Sequence, residues 1–248
     1  MAVGGDVSAG GEAPVQRNGY LYWVTKVVLT LPLLLSLRPR VEGLQHVPDS
    51  GPVILASNHT SFYDWLVLPL VVRRRRIIFL AKSSYFTGGG LTGRLRRYFF
   101  TACGQVPVDR SGGGAGEAAV RTAVRLLGEG QLLGVFPEGT RSPDGRLHRG
   151  RTGVVRIAAT SGAPVIPCAT VGLFDVAPAG RLLPRLSRRR TVIRFGPPMA
   201  WPDDPHQGVP DAVVLRERTN ELMATIQRLS GQEYSDSDAR APRGEERA

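Results

Sequence analysis

From residue 41 onward, short runs of β-branched and aliphatic residues alternate with stretches whose apolar residues recur at helical spacing. Candidate strands fall at 53–57, 77–81, 105–108, 132–136, 165–171 and 191–195. Several are continuously apolar rather than alternating, as strands covered on both faces are. Helical stretches at 61–72, 116–129 and 151–161 lie between them. A last helix, 211–229, opens on Pro210 and Asp211 and is followed by Gly231. Its apolar stripe is Leu215, Leu222, Met223, Ile226 and Leu229. This alternation predicts one α/β domain over 41–231, with a mixed or mostly parallel central sheet flanked by helices. A chain of 248 residues is long enough to bury a core of that kind.

The two ends read differently. Residues 1–18 lack periodicity and are expected to be a disordered tail, as is the charged stretch 232–248. Between them, 19–40 contains the most hydrophobic segment of the chain, from Tyr20 to Leu37. It falls short of the roughly 20 apolar residues of a comfortable spanning helix, and it carries Lys26 and Pro32. Tyr20, Tyr22 and Trp23 at one end and Arg38 and Arg40 at the other suit a helix lying in a membrane interface. A helix packed on the domain is the alternative. The expectation is a membrane-associating helical segment.

Net charge is +11, and only Lys26 and Lys82 are lysines, so almost all the positive charge is guanidinium. Such a surface attracts anionic lipid, nucleic acid or phosphorylated molecules. The runs Arg73–Arg76 and Arg188–Arg190, with Arg181 and Arg185 nearby, are not interleaved with stacking aromatics, which favours lipid headgroups over nucleic acid. Cys103 and Cys168 are far apart and in apolar or glycine-flanked context, which suits buried free thiols and neither a disulfide framework nor a metal site.

Three polar segments follow apolar runs, where the crevice beyond strand ends holds ligands in open α/β sheets. In the first, Asn58-His59 is followed by Asp64. An imidazole is suited to general-base work near neutral pH, and a carboxylate on its other ring nitrogen fixes the tautomer. Five residues apart on one helix, the two side chains diverge by about 140°. They meet only if His59 precedes the helix and Asp64 lies in its first turn. Ser61-Phe-Tyr-Asp64 also reads as a helix-starting Ser-x-x-acid box, which gives Asp64 a structural use. No Gly-x-Ser-x-Gly elbow is present, which favours direct attack by a substrate hydroxyl over a covalent acyl-enzyme. The second segment, Phe136-Pro-Glu-Gly-Thr-Arg-Ser142, suits a tight turn exposing Glu138, Thr140 and Arg141, and a guanidinium there suits bidentate phosphate binding. The third, Gly104-Gln-Val-Pro-Val-Asp-Arg110, offers Arg110. Each of the last two serves equally as a solvated turn.

Taken together, Asn58-His59-x4-Asp64, Gly104-x4-Asp109-Arg110, Phe136 to Ser142 and Val165-Ile-Pro-Cys168 resemble, in order and spacing, the glycerolipid acyltransferase family typified by bacterial 1-acyl-glycerol-3-phosphate acyltransferases. The resemblance covers most of 41–200. It implies that His59 deprotonates the acceptor hydroxyl and Asp64 orients His59. It further implies that Arg110, Glu138, Gly139, Thr140 and Arg141 shape the glycerol-phosphate site, with Lys82 at a basic position between the first two motifs. Pro107 departs from the family, where a bulky apolar residue is usual. The implied function is transfer of an acyl group from acyl-CoA or acyl carrier protein to the sn-2 hydroxyl of 1-acyl-glycerol-3-phosphate, with no cofactor and no metal; acylation of another lyso-lipid or of glycerol 3-phosphate, or a non-catalytic membrane-binding protein, are the alternatives. The implied partners are a lysophospholipid acceptor, the acyl donor and an anionic membrane surface on the cytoplasmic face.

Overall fold

The computed structural model describes residues 37–83, 86–108, 114–176, 178, 191–200 and 210–239, together with Val24 and Val28. Its strands are β1 (Arg40–Glu42), β2 (Val53–Ser57), β3 (Ile77–Lys82), β4 (Gln105–Val108), β5 (Leu132–Val135), β6 (Leu147–His148), β7 (Val165–Val171), β8 (Val192–Phe195) and β9 (Tyr234–Ser235). Its helices are α1 (Asp64–Val71), α2 (Gly90–Ala102), α3 (Ala115–Gly128), α4 (Gly153–Ser161), α5 (Leu173–Val176) and α6 (Ala212–Ser230). Seven strands form one sheet in the order β1-β8-β7-β2-β5-β3-β4. The five from β7 to β4 run parallel, whereas β8 is antiparallel to β7 and carries β1 parallel to itself. This is the mixed, mostly parallel sheet that the alternation of elements predicts.

The continuous apolar runs have their cause in two cores, one on each face. Val53 and Leu55 of β2 join Ile77, Phe79, Leu132 and Ile166 in a core closed by Trp65, Val67 and Leu68 of α1 and Leu173 of α5, with Phe99 and Phe100 of α2 packed against it. Ile54 and Ala56 point the other way, against Leu126 and Leu127 of α3, Val154 and Val155 of α4 and Leu222, Met223 and Ile226 of α6. Each such side chain contributes about 2 kcal/mol by leaving water, so central strands with no polar face are strongly driven inward. All eight residues of α1 are buried, which is why that helix has no polar side. At the start of α6 the Asp211 carboxylate accepts from the N–H groups of Val213 and Val214, and Gly231 ends the helix in the left-handed region at φ 71°.

Two boundaries differ from the expectation. Of the helical segment expected over 19–40, Val24, Val28 and Leu37 are described as helical, Arg38 and Pro39 follow, and Arg40 opens β1, so the domain begins earlier than residue 41. The rest of that segment, like the tail 1–18, lies outside the described residues. No helix among the described residues is long and apolar enough to cross a membrane. At the other end, 232–239 is no loose tail: β9 pairs with β6, Leu147 to Tyr234 and His148 to Ser235. The Arg149 N–H donates to Ser237 O at 3.1 Å, and Ala239 is buried. Charge and hydroxyl content hide this strap in the sequence, because its contacts are largely backbone pairing. Residues 240–248 lie outside the described residues.

Candidate active site

Because β2 and β5 are parallel neighbours, their carboxyl ends bring two loops to one edge of the sheet. One loop carries His59 into the start of α1, and the other runs from Phe136 to Ser142. His59 Nδ1 lies 2.9 Å from Asp64 Oδ2. That oxygen also accepts from the N–H groups of Thr60 at 2.7 Å and Ser61 at 2.8 Å. Asp64 Oδ1 accepts from the Thr170 hydroxyl at 2.7 Å. Asp64 is fully buried, whereas the His59 side chain keeps 15% of its surface exposed. Facing a carboxylate, Nδ1 carries the proton, which leaves the lone pair on Nε2. The Ser61 N–H bond to Asp64 is one arm of the helix-starting box. One carboxylate therefore serves both readings that the spacing leaves open.

The imidazole is also held by its face. Phe136 stacks on His59 with centroids 3.9 Å apart and planes at 12°, and Phe79 stacks on Phe136 at 5.5 Å. Gly134 makes room for this column, since a Cβ there would come within 2.3 Å of the Phe79 ring. The backbone of His59 is clamped as well. Its N–H donates to Glu138 Oε2 at 2.8 Å, and its carbonyl accepts from the Ser142 N–H at 2.7 Å. Glu138 Oε1 accepts from the His148 N–H at 2.9 Å. Burial pushes the Glu138 carboxyl up to about 7, against the opposing pull of the His148 and His59 N–H groups. Glu138, expected to shape a substrate pocket, instead turns both oxygens onto backbone and joins the two loops.

Gly139 follows with φ 76°, and a Cβ there would lie 2.9 Å from Arg151 Nε, so the turn requires glycine. Thr140 and Arg141 are half-buried in the same turn, and Lys82 ends β3 opposite Val108 of β4. Arg110 lies outside the described residues, as do Arg181, Arg185 and Arg188 to Arg190. In the other arginine run, Arg73 and Arg74 are exposed. Arg74 pairs with Asp49 at 2.7 Å, while Arg75 is a structural residue that donates to the carbonyls of Pro48, Gly51 and Gly130. This run borders a cavity of about 690 Å³ with Val41, Leu44, Leu70 and Val71, at the end of α1 opposite His59. Burial raises the Cys103 and Cys168 thiols to about 12, so neither is a nucleophile.

Residues that motif spacing does not single out complete the site. Asn58 Nδ2 donates to Thr170 O at 3.0 Å and to Gln232 Oε1 at 2.7 Å, and Asn58 Oδ1 accepts from the Thr170 N–H at 2.8 Å. Gln232 Nε2 donates to Gly145 O at 2.7 Å. His148 is buried, with Nε2 2.9 Å from Asp144 Oδ1. Thr170 is the hidden partner with the clearest trace, standing two residues past the Val165-Ile-Pro-Cys168 motif. The Thr60 hydroxyl, one residue after His59, is buried with no hydrogen-bond partner among the described residues.

Comparison with known proteins places the chain beside acyltransferases. The family model described as Acyltransferase matches residues 38–171. The 1-acyl-sn-glycerol-3-phosphate acyltransferase of Bacillus subtilis (strain 168) is 29% identical over 202 residues, covering 80% of this chain and 92% of that protein. The chloroplastic 1-acyl-sn-glycerol-3-phosphate acyltransferase LPAT1 of Arabidopsis thaliana is 27% identical over 165 residues, 66% of this chain. This match spans only 44% of the plant protein, less than half its length. The crystal structure of the 1-acyl-sn-glycerophosphate (LPA) acyltransferase PlsC from Thermotoga maritima superposes with a TM-score of 0.59 at 26% identity, covering 85% of this chain and 78% of that one.

Proposed function

The chain belongs to the acyltransferase family, and from that premise we propose that it moves a fatty acyl group from a thioester to the sn-2 hydroxyl of 1-acyl-glycerol-3-phosphate, giving phosphatidate. The observation that carries the mechanism is the 2.9 Å contact between His59 Nδ1 and the buried Asp64 carboxylate. With Nδ1 committed to Asp64, Nε2 accepts the proton of the acceptor hydroxyl as its oxygen attacks the thioester carbonyl carbon. The tetrahedral intermediate collapses by breaking the carbon–sulfur bond, and the departing thiolate takes the proton back from His59. The positive charge that develops on the ring faces Asp64 Oδ2. No residue of the protein becomes acylated.

Thr140, Arg141 and Gly139 form the turn beside His59, and in this mechanism they hold the acceptor phosphate together with Lys82 and Arg110. Fixing phosphate and hydroxyl relative to Nε2 supplies proximity, so loss of the Arg141 guanidinium weakens turnover as well as binding. The donor is acyl-CoA or acyl carrier protein, and the acceptor and product reside in an anionic membrane on its cytoplasmic side.

The test follows thiol release from acyl-CoA, then from acyl carrier protein, with and without lysophosphatidate, for wild type and H59A. The expected result is acceptor-dependent release with phosphatidate formed, lost in H59A while the fold persists. Acceptor-independent release with free fatty acid would make the protein a thioester hydrolase. No consumption of either thioester with any lyso-lipid would overturn the reading.

A further inference from the structure

Three large apolar side chains stand in solvent on one helix: Leu91 is 81% exposed, Leu95 65% and Tyr98 56%. At 100° per residue they fall, with the exposed Arg94, within about 100° of one another on α2. The opposite side of α2 is packed. Gly93 is buried, with a would-be Cβ 2.3 Å from Gly88 O, and Phe100 on the same side lies 6.0 Å from Trp65. The helix thus has a second apolar side that the core does not use. Scattered exposed apolar residues are ordinary; three aligned on one helix mark a contact surface.

Charge identifies the occupant. From Ile77 to Val108, β3 through β4, the sequence contains four Lys or Arg residues, Lys82, Arg94, Arg96 and Arg97, and no Asp or Glu. Arg94, Arg96 and Arg97 lie on α2 itself, within the same two turns as Leu91, Leu95 and Tyr98. Apolar side chains for insertion, with the exposed Arg94 among them and no carboxylate on the helix, match an anionic lipid leaflet. Position adds to this. The chain leaves β3 at Lys82, on the edge that carries His59, and enters α2 eight residues later. Because β3 runs parallel to β5 and β2, that edge is also the one from which the loop carrying His59 leaves, and Leu91 stands at the same end of α2.

We propose that the Leu91, Leu95 and Tyr98 side of α2 inserts into an anionic membrane leaflet and seats the catalytic edge against it. A lyso-lipid then moves from bilayer to His59 without crossing water. This purpose rests on the acyl-transfer reading; the insertion itself does not.

The full chain, wild type and L91E/L95E, is sedimented with phosphatidylcholine vesicles containing or lacking phosphatidylglycerol. Acyl transfer to lysophosphatidate is measured in detergent micelles with the same proteins. Wild type is expected to partition onto the anionic vesicles, and the variant to lose about tenfold or more of that partitioning. Its circular dichroism, melting temperature and micellar turnover are expected to be unchanged. Y98E provides an independent second variant and is expected to weaken partitioning in the same direction. Unaltered vesicle binding by both variants, or no binding by wild type, would overturn the proposal. So would a wild-type dimer that L91E/L95E turns into a monomer without affecting vesicle binding. Loss of binding in the variants with no acyl transfer by any form would leave the surface standing and remove the enzymatic reading instead.

Discussion

Asn58 and Gln232 are separated by 174 positions in sequence and joined by a 2.7 Å hydrogen bond from Nδ2 to Oε1. Gln232 reaches on to Gly145 O, so one side chain from the last part of the domain ties the loop after β2 to the loop after β5. Asn58 precedes His59 directly, and its position bears on the direction of the imidazole. Q232A leaves the buried Asn58 amide without this acceptor, at a cost of about 1–3 kcal/mol. A roughly tenfold fall in kcat with KM little changed is expected, since a loosened base harms the transition state more than ground-state binding. Urea unfolding and steady-state kinetics on the same protein check both.

Thr170 donates the only side-chain hydroxyl described on Asp64, at 2.7 Å. T170V keeps the shape but leaves Asp64 Oδ1 without that donor inside the core, which again costs about 1–3 kcal/mol. Turnover should fall, and T170S should restore most of it by returning the hydroxyl. Failure of Ser to rescue, with Val and Ser alike in kcat, would mean that the bond does not matter to His59.

D64N retains volume but presents an amide N–H₂ where His59, Thr60, Ser61 and Thr170 all require an acceptor. The imidazole then favours the wrong tautomer. A loss in kcat on the order of a thousandfold or more is expected. Because the carboxylate also closes the first turn of α1, the melting temperature should drop too, which H59A should not reproduce.

Glu138 sets a pH dependence of stability. Its carboxyl is raised by burial from 4.5 in the unfolded chain to about 7 in the folded one. The folded state therefore binds the proton more tightly, and the contribution to stability is full below about 4.5 and lost as pH rises to about 7. Measured against E138Q, which does not titrate, wild type should lose roughly 3 kcal/mol across that window. Urea unfolding of both proteins at pH 5, 6, 7 and 8 reads the difference. A flat difference would mean that Glu138 keeps its ordinary acidity. E138Q should also lower kcat, because one of two backbone N–H groups loses its acceptor.

The Phe79, Phe136 and His59 column depends on a missing side chain. G134A would bring a Cβ within 2.3 Å of Phe79, and the ring must move. Overpacking of this kind costs about 1–3 kcal/mol. Here the displacement passes to the ring that carries the base, so kcat should fall more than the loss of stability alone explains. F79L in the G134A background should recover part of both.

What the sequence reveals and what it hides divides along physical lines. His59 and Asp64 are legible because both lie in one contiguous segment, where a strand hands over to a helix and the spacing can be tested against helix geometry. The central strands β7, β2, β5 and β3 are legible because burial on both faces leaves continuous apolar runs. Helix α2 is not: Leu91, Leu95 and Tyr98 face away from Phe100, so its apolar residues have no single side and the periodic signal is blurred. The positioning use of Glu138 is hidden because its partners are backbone N–H groups 79 and 10 residues away, and every sequence offers such donors everywhere. Gln232 is hidden for a related reason. A polar residue in a charged segment looks the same whether it faces water or braces a loop.

The strap also has an order in time. His59 leaves the ribosome early, but the acceptor that braces its neighbour Asn58 is made 174 residues later. At ordinary rates of synthesis that interval is on the order of ten seconds or more. Through it the nascent chain contains the base and its carboxylate without the final brace. A partly made copy should therefore turn over more slowly than the finished domain.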